Sequence, residues 1–151
     1  RLKNGAYLLD DSYNANPASM REALMTLKEL KNGHASYAFL GDMLELGDAA
    51  EEMHRKIGML AAVTGVGLLF LKGDFAEITA AGAREGGMAP DKIVFLSDPE
   101  EAVYRLKRFL KKGDWILVKG SRRMKMEMIV TRIGEVFGYE KPVRDEKQMN
   151  G

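Results

Sequence analysis

Five short apolar runs mark this chain from end to end, at Ala6–Asp10, Ala35–Leu40, Gly67–Leu71, Lys92–Leu96 and Trp115–Val118. Each is continuous rather than alternating, the pattern of a strand covered on both faces of a parallel sheet. Helical spacing fills the intervals near 18–31, 48–64, 74–86, 99–111 and 122–138. The first of these carries Met20, Ala23, Leu24, Leu27 and Leu30, and the last Met126, Ile129, Val130, Ile133 and Phe137. A repeated β-α unit predicts an α/β fold: a Rossmann-like, doubly wound, mostly parallel sheet of five to six strands flanked by helices. One domain is expected over 1–140, followed by a polar, mobile tail at 141–151.

Three helix starts share one grammar, Asp48-x-x-Glu51, Asp74-x-x-Glu77 and Asp98-Pro99-x-Glu101. Each predicts a cap in which the Asp accepts backbone N–H bonds, so these carboxylates need no chemistry to explain them. Gly33, Gly65, Gly86, Gly87, Gly113 and Gly138 stand where helices should close. Trp115 and most of the 10 methionines are read as packing, although Met124, Met126 and Met128 cannot all share one helical face.

Charge narrows the range of partners. Lys plus Arg is 23 against 22 for Asp plus Glu, so no net charge recruits nucleic acid or a membrane surface. Cysteine is absent, which excludes disulfides and thiolate metal sites and fits a reducing compartment. No apolar run approaches the roughly 20 residues of a bilayer span. The chain opens on Arg1 rather than Met, which predicts an excised domain or a processed product.

Chemistry concentrates where strands end. The string Asp10-Asp11-Ser12-Tyr13-Asn14-Ala15-Asn16-Pro17 follows the first strand, in the position where open α/β sheets bind ligands. Asp11 could accept ribose hydroxyls, and Asn14 could hydrogen-bond a base or sugar. Asn16-Pro17 reads as a helix cap and first helical residue. Adjacent Asp10 and Asp11 repel, so one needs a partner or a ligand unless the other turns into solvent.

The second strand runs into Gly41-Asp42-Met43-Leu44-Glu45-Leu46-Gly47, with His54 downstream. Gly41 would let backbone approach a ligand, and Asp42 is expected to face the same crevice as Asp11. Glu45 and His54 could join them if the loop folds back, although a lone helical histidine is more often a surface or half-buried residue. His34 lies in a turn and has no assigned role. Val118-Lys119-Gly120-Ser121-Arg122-Arg123 precedes the last helix and has two readings. It is an anion site at a helix N-terminus, or Ser121 is a cap and the arginines are solvated. The chain has no G-x-x-x-x-G-K-[ST] loop, no G-x-G-x-x-G fingerprint, no zinc spacing and no G-x-S-x-G elbow.

DDSYNANP, LGDMLELG with His54 downstream, and VKGSR, in this order and spacing, resemble the C-terminal domain of the Mur ligases. Among these they are most similar to the members that add D-alanyl-D-alanine to UDP-MurNAc-tripeptide. The resemblance covers almost the whole chain except the tail. It implies a cytoplasmic bacterial enzyme of peptidoglycan precursor synthesis with three domains, for the UDP-sugar, for ATP hydrolysis and for closure. ATP would phosphorylate the substrate's carboxylate and the dipeptide amine would attack the acyl phosphate. Mg2+ and a carbamylated lysine would belong to the central domain.

Carried over by motif, Asp11, Ser12, Tyr13 and Asn14 would serve ATP, with Asp11 on the ribose side and Asn14 near the adenosine. Lys119, Ser121 and Arg122 would face the substrate's carboxylate or the dipeptide, with Asp42 and Glu45 as further substrate-side residues. No catalytic residue and no metal ligand is assigned to this domain alone, which is expected to be inactive by itself. The family's linker arginine that reaches ATP is not equated with Arg1.

Two other readings stand beside this one. A receiver-like phosphoacceptor domain also has acids after the first strand and a lysine after the fifth. It needs an aspartate ending the third strand, where this chain has Lys72 and then Asp74. A nucleotide-binding module without catalysis is the other.

Overall fold

Each apolar run forms a strand within a residue or two of its expected bounds. The order is β1 (Tyr7–Asp11), α1 (Pro17–Lys31), β2 (Ser36–Gly41), α2 (Ala50–Val63), β3 (Leu68–Lys72) and α3 (Ala76–Glu85), followed by β4 (Ile93–Phe95), α4 (Pro99–Phe109), β5 (Trp115–Lys119) and α5 (Glu127–Phe137). This is a computed structural model, and it describes residues 1–141. Apart from Lys141, the tail expected at 141–151 lies outside the described residues.

The five strands form one sheet in the order β1-β5-β2-β3-β4, and every pairing is parallel. The α/β class is as expected. The internal strands β5, β2 and β3 are nearly all buried. At the edges the expectation of two covered faces is only partly met. β1 is half-buried along its length, and β4 is cut to three residues with Phe95 43% exposed.

Right-handed crossovers set the layers. From β1 to β2, β3 and β4 the chain moves one way across the sheet, so α1, α2 and α3 share a face. Met20, Leu24, Leu27, Ile57, Ala61 and Ala80 pack there against Leu40, Leu69, Leu71 and Leu117. The step from β4 back to β5 reverses direction, which sends α4 and α5 to the other face. Leu106, Ile129 and Ile133 meet Phe39, Phe70, Ile116 and Val118 on that side. The connection leaving β5 therefore runs to the opposite face from those leaving its neighbours β1 and β2, and the carboxyl ends of these three strands open on a topological switch point.

Helix entry departs from the sequence grammar. Asn16 caps α1 as expected, accepting from Ser19 N at 2.9 Å, while its own N–H donates to Ser19 Oγ at 3.1 Å. Asp98 caps α4 by accepting from Glu100 N at 2.9 Å. Asp48 and Asp74 do not cap their helices. α2 is entered through a 3-10 turn, Gly47–Ala49, whereas the turn before α3 is held from a distance by Asp42. The last helix begins at Glu127, not near 122, because Arg122–Met124 form a separate 3-10 turn and Lys125 takes a left-handed φ of 52°.

Candidate functional site

Three loops meet at the switch point. The parallel register sets Asp11 opposite Lys119, and Lys119 is also opposite Leu40 on the other side. Lys119 is one of the most deeply buried side chains, and its Nζ donates to Asp11 Oδ2 at 2.7 Å and to the Asn14 carbonyl at 2.9 Å. A buried ammonium is costly unless paired, so the ion pair answers the repulsion expected between the adjacent acids. Asp10 turns outward and accepts from Ser12 N at 3.1 Å and Ser12 Oγ at 2.6 Å, closing an Asx turn. Tyr139 comes near this corner, and its phenol is pushed up from its ordinary pKa by burial first and by the charge of Asp10 second.

Tyr13 stands 73% exposed with the Arg122 guanidinium 5.4 Å from its ring centroid. On one side of it an open crevice of about 430 Å³ is lined by Asp10, Asp11, Ser12, Tyr13, Arg122 and Glu127. On the α1 side a second, of about 390 Å³, includes Asp11, Tyr13, Asn14, Ser19, Glu22 and Lys119. Asp11, Ser12, Tyr13, Asn14, Lys119 and Arg122 are thus brought together, but Lys119, expected to face a substrate, is 2% exposed and its ammonium is taken up by Asp11 and the Asn14 carbonyl. The sequence reading missed Glu127. Its signal was an acid in the first turn of the last helix, visible only once that helix is known to start there.

The Gly41–Gly47 loop behaves otherwise. Asp42 does not face the Asp11 crevice. It is buried, and its carboxylate accepts from Asp74 N at 2.8 Å and Phe75 N at 3.2 Å. β3 lies beside β2, so the loop after β3 is its nearest source of unpaired N–H groups. The space beside Gly41 is taken by Met124 and Met126 rather than left for a ligand, since a Cβ there would lie 3.0 Å from Met126 Sδ and 3.1 Å from Met124 Cβ. Glu45 is exposed in a left-handed conformation with φ 62°.

His54 is neither at the surface nor half-buried: it is 3% exposed and stacks on Phe75 with ring centroids 4.3 Å apart. Ser121 makes no helix cap, and its Oγ accepts from Leu44 N at 3.0 Å. Nor does the basic segment sit on the α5 N-terminus, so the dipole argument for an anion site there does not apply.

Among the described residues no three His, Asp or Glu side chains converge as a cation site. No helix there is long and apolar enough to cross a membrane. The receiver-like reading fails on the fold. That class keeps its first strand inside the order 2-1-3-4-5, whereas β1 here is an edge. At the end of β3, Lys72 donates to the Met124 carbonyl at 3.0 Å where a phosphoacceptor would stand.

Comparison with known proteins gives the same picture. Residues 1–122 match the family model described as "Mur ligase, glutamate ligase domain". UDP-N-acetylmuramoyl-tripeptide–D-alanyl-D-alanine ligase of Bacillus subtilis is 33% identical over 130 residues, covering 86% of this chain and 28% of that protein. The Escherichia coli ligase of the same name is 32% identical over 137 residues, covering 89% of this chain and 28% of its own length. Among solved structures, the MurF ligase of Thermotoga maritima in complex with ADP superposes with a TM-score of 0.75 at 27% identity. The match covers 89% of this chain and 29% of that one. The chain thus spans little more than a quarter of the curated relatives it matches. With the family model matched over most of its length, it belongs to the Mur ligase family, as the C-terminal, glutamate ligase domain.

Proposed function

We propose that this domain closes over the nucleotide of an ATP-dependent ligase that joins D-alanyl-D-alanine to UDP-MurNAc-tripeptide, a step of peptidoglycan precursor synthesis in the bacterial cytoplasm. The observation that carries this reading is the crevice at the β5 switch point, where Asp11, Tyr13 and Arg122 converge from two loops far apart in sequence. The relatives named for this reaction, and a neighbour crystallised with ADP, support it.

The donor set fits the sugar end of a nucleotide. Asp11, half exposed beside Lys119, can accept ribose hydroxyls. Ser12 shapes the loop through Asp10, and Tyr13 offers an aromatic face for a base. Asn14 stands exposed on the adjoining crevice, near the adenosine in this reading. Arg122 at the rim supplies a positive charge for phosphate or carboxylate oxygens. Ser121 and Asp42 shape the substrate side from within, and Glu45 is displayed on its loop. Lys119 acts on the site through Asp11 and the Asn14 carbonyl.

When bound, ATP supplies the phosphoryl group that activates the substrate carboxylate. The Mg2+ that accompanies it is assigned to the central ATPase domain of the same full-length chain, and the UDP-sugar to the N-terminal domain. An activated carboxylate must be kept from water, and a domain that arrives last can exclude it.

The test uses the full-length protein that contains this domain. ADP release should require both UDP-MurNAc-tripeptide and D-alanyl-D-alanine, and should vanish when residues 1–151 are deleted. Undiminished release without the domain would refute the lid role. Tight ATP binding by the 151-residue chain alone would favour a nucleotide-binding module without catalysis.

A further inference from the structure

We infer that His54 is a positioning residue, which through Met43, Leu44 and Ser121 sets the place of the Ser121–Met124 turn at the crevice mouth. The inference deepens the ligase reading where it concerns turnover, but the coupling itself stands on the geometry. Met43 N–H donates to His54 Nε2 at 3.0 Å, and His54 Nδ1 lies 2.6 Å from the Ala50 carbonyl. One partner can only donate and the other can only accept. The ring is therefore neutral, with its proton on Nδ1 and its lone pair on Nε2. Both nitrogens are spent inside the protein, so His54 cannot touch a ligand.

From His54 the path is short. Met43 N is held by the ring, and the next amide, Leu44 N, donates to Ser121 Oγ at 3.0 Å. Ser121 N donates back to the Asp42 carbonyl at 3.0 Å. The two strand ends also touch, since a Cβ on Gly120 would lie 3.2 Å from Gly41 Cα. Below, the His54 ring stacks on Phe75, whose N–H is held by Asp42. The Ser121–Met124 turn carries Arg122, the residue that reaches Tyr13 across the crevice. Besides these bonds, the turn is gripped by the Lys72 ammonium on the Met124 carbonyl. Losing the His54 acceptor would free Met43 and Leu44, and with them one of the few holds on that turn.

Amide hydrogen exchange on the 151-residue chain reads this coupling without any turnover. His54→Phe keeps a ring against Phe75 but removes the acceptor, whereas His54→Gln restores an oxygen near the Nε2 position. In H54F, exchange at Met43 and Leu44 should rise about three- to tenfold, the loss of one buried hydrogen bond. The amides of Met124 and Lys125, which close the Ser121–Met124 turn, should rise with them, and H54Q should recover all four. A rise confined to Met43 and Leu44 would refute the coupling.

Should H54F fail to fold, Ser121→Ala reads the same path from the other end. Faster exchange at both Leu44 and Met43 is expected, and unchanged exchange at either contradicts the proposal. In the full-length protein, H54F should raise KM for D-alanyl-D-alanine roughly tenfold with a smaller loss in kcat, rescued by H54Q. Absence of wild-type turnover would count against the ligase reading alone, because the exchange data decide the coupling independently.

Discussion

Asp11 and Lys119 are register partners on neighbouring parallel strands, joined by a 2.7 Å ion pair in which the lysine is 2% exposed and the aspartate 46%. The two charges are therefore not equivalent. Removing the carboxylate strands a buried cation, whereas removing the lysine leaves an acid that water can reach. Asp11→Ala should cost about 2–3 kcal/mol, below the ~3–5 of a fully buried pair, and Lys119→Met should cost less. Urea unfolding of the two variants checks the order; the reverse order would mean that burial of Lys119 is not what makes the pair matter.

On the proposed reading, the exposed Tyr13 would meet a base with its ring rather than its hydroxyl. In the full-length protein, on that reading, Tyr13→Ala should raise KM for ATP about tenfold, in line with one lost base–aromatic stack, while Tyr13→Phe stays near wild type. Equal losses in the two variants would assign the role to the phenol oxygen.

Gly73 makes room for Asp42. Its φ is +122°, and a Cβ there would fall on the Asp42 carboxylate. Gly73→Ala should therefore cost about 3 kcal/mol, combining backbone strain with loss of the bonds to Asp74 and Phe75. Gly33→Ala is the control, because its φ of +85° meets no atom within 4 Å. It should cost about 1 kcal/mol. Thermal melts of both variants separate steric displacement from strain.

Gly58 and Gly82 let α2 and α3 touch backbone to backbone. A Cβ at Gly58 would land on the Thr79 carbonyl, and one at Gly82 on the Arg55 carbonyl. Neither neighbour is the flexible end of a side chain, so the helices must separate. Gly58→Ala or Gly82→Ala should cost at least about 3 kcal/mol, the upper end for overpacking, despite the better helix propensity of alanine. A measured gain in stability would contradict the close approach.

Tyr37 makes stability fall at high pH. Burial first, then the charge of Asp114 and a hydrogen bond to it, push its pKa up from 10.0 to about 12. The native state keeps the proton while the unfolded chain releases it. The contribution is therefore complete below about pH 10 and fades as pH rises toward 12. Urea midpoints measured across that window should fall more steeply for the wild type than for Tyr37→Phe. Parallel slopes would rule Tyr37 out as the source.

Much of the fold was legible in local pattern. The apolar runs marked all five strands, and Asn16-Pro17 and Asp98-Pro99 started their helices as read. These features depend on residues a few positions apart, which sequence displays directly. The motif loops were equally visible, and Asp11, Tyr13, Lys119 and Arg122 do meet. Local pattern failed where a distant group competed. Asp74 reads locally as a cap, but Asp42 holds that turn, and His54 reads as a surface or half-buried helical residue, but its ring is buried and binds the Met43 amide.

The sequence by itself determined the class of the fold and the three strand ends that carry polar chemistry, because periodicity and capping are short-range physics. Only the tertiary structure decided which polar groups face the crevice and which face one another. The insertion of β5 between β1 and β2 sets Asp11 against Lys119 and Ser121 against Leu44, while the pairing of β2 with β3 turns Asp42 away. Strand order depends on long-range pairing and on burial of both faces at once, and no window of sequence contains it.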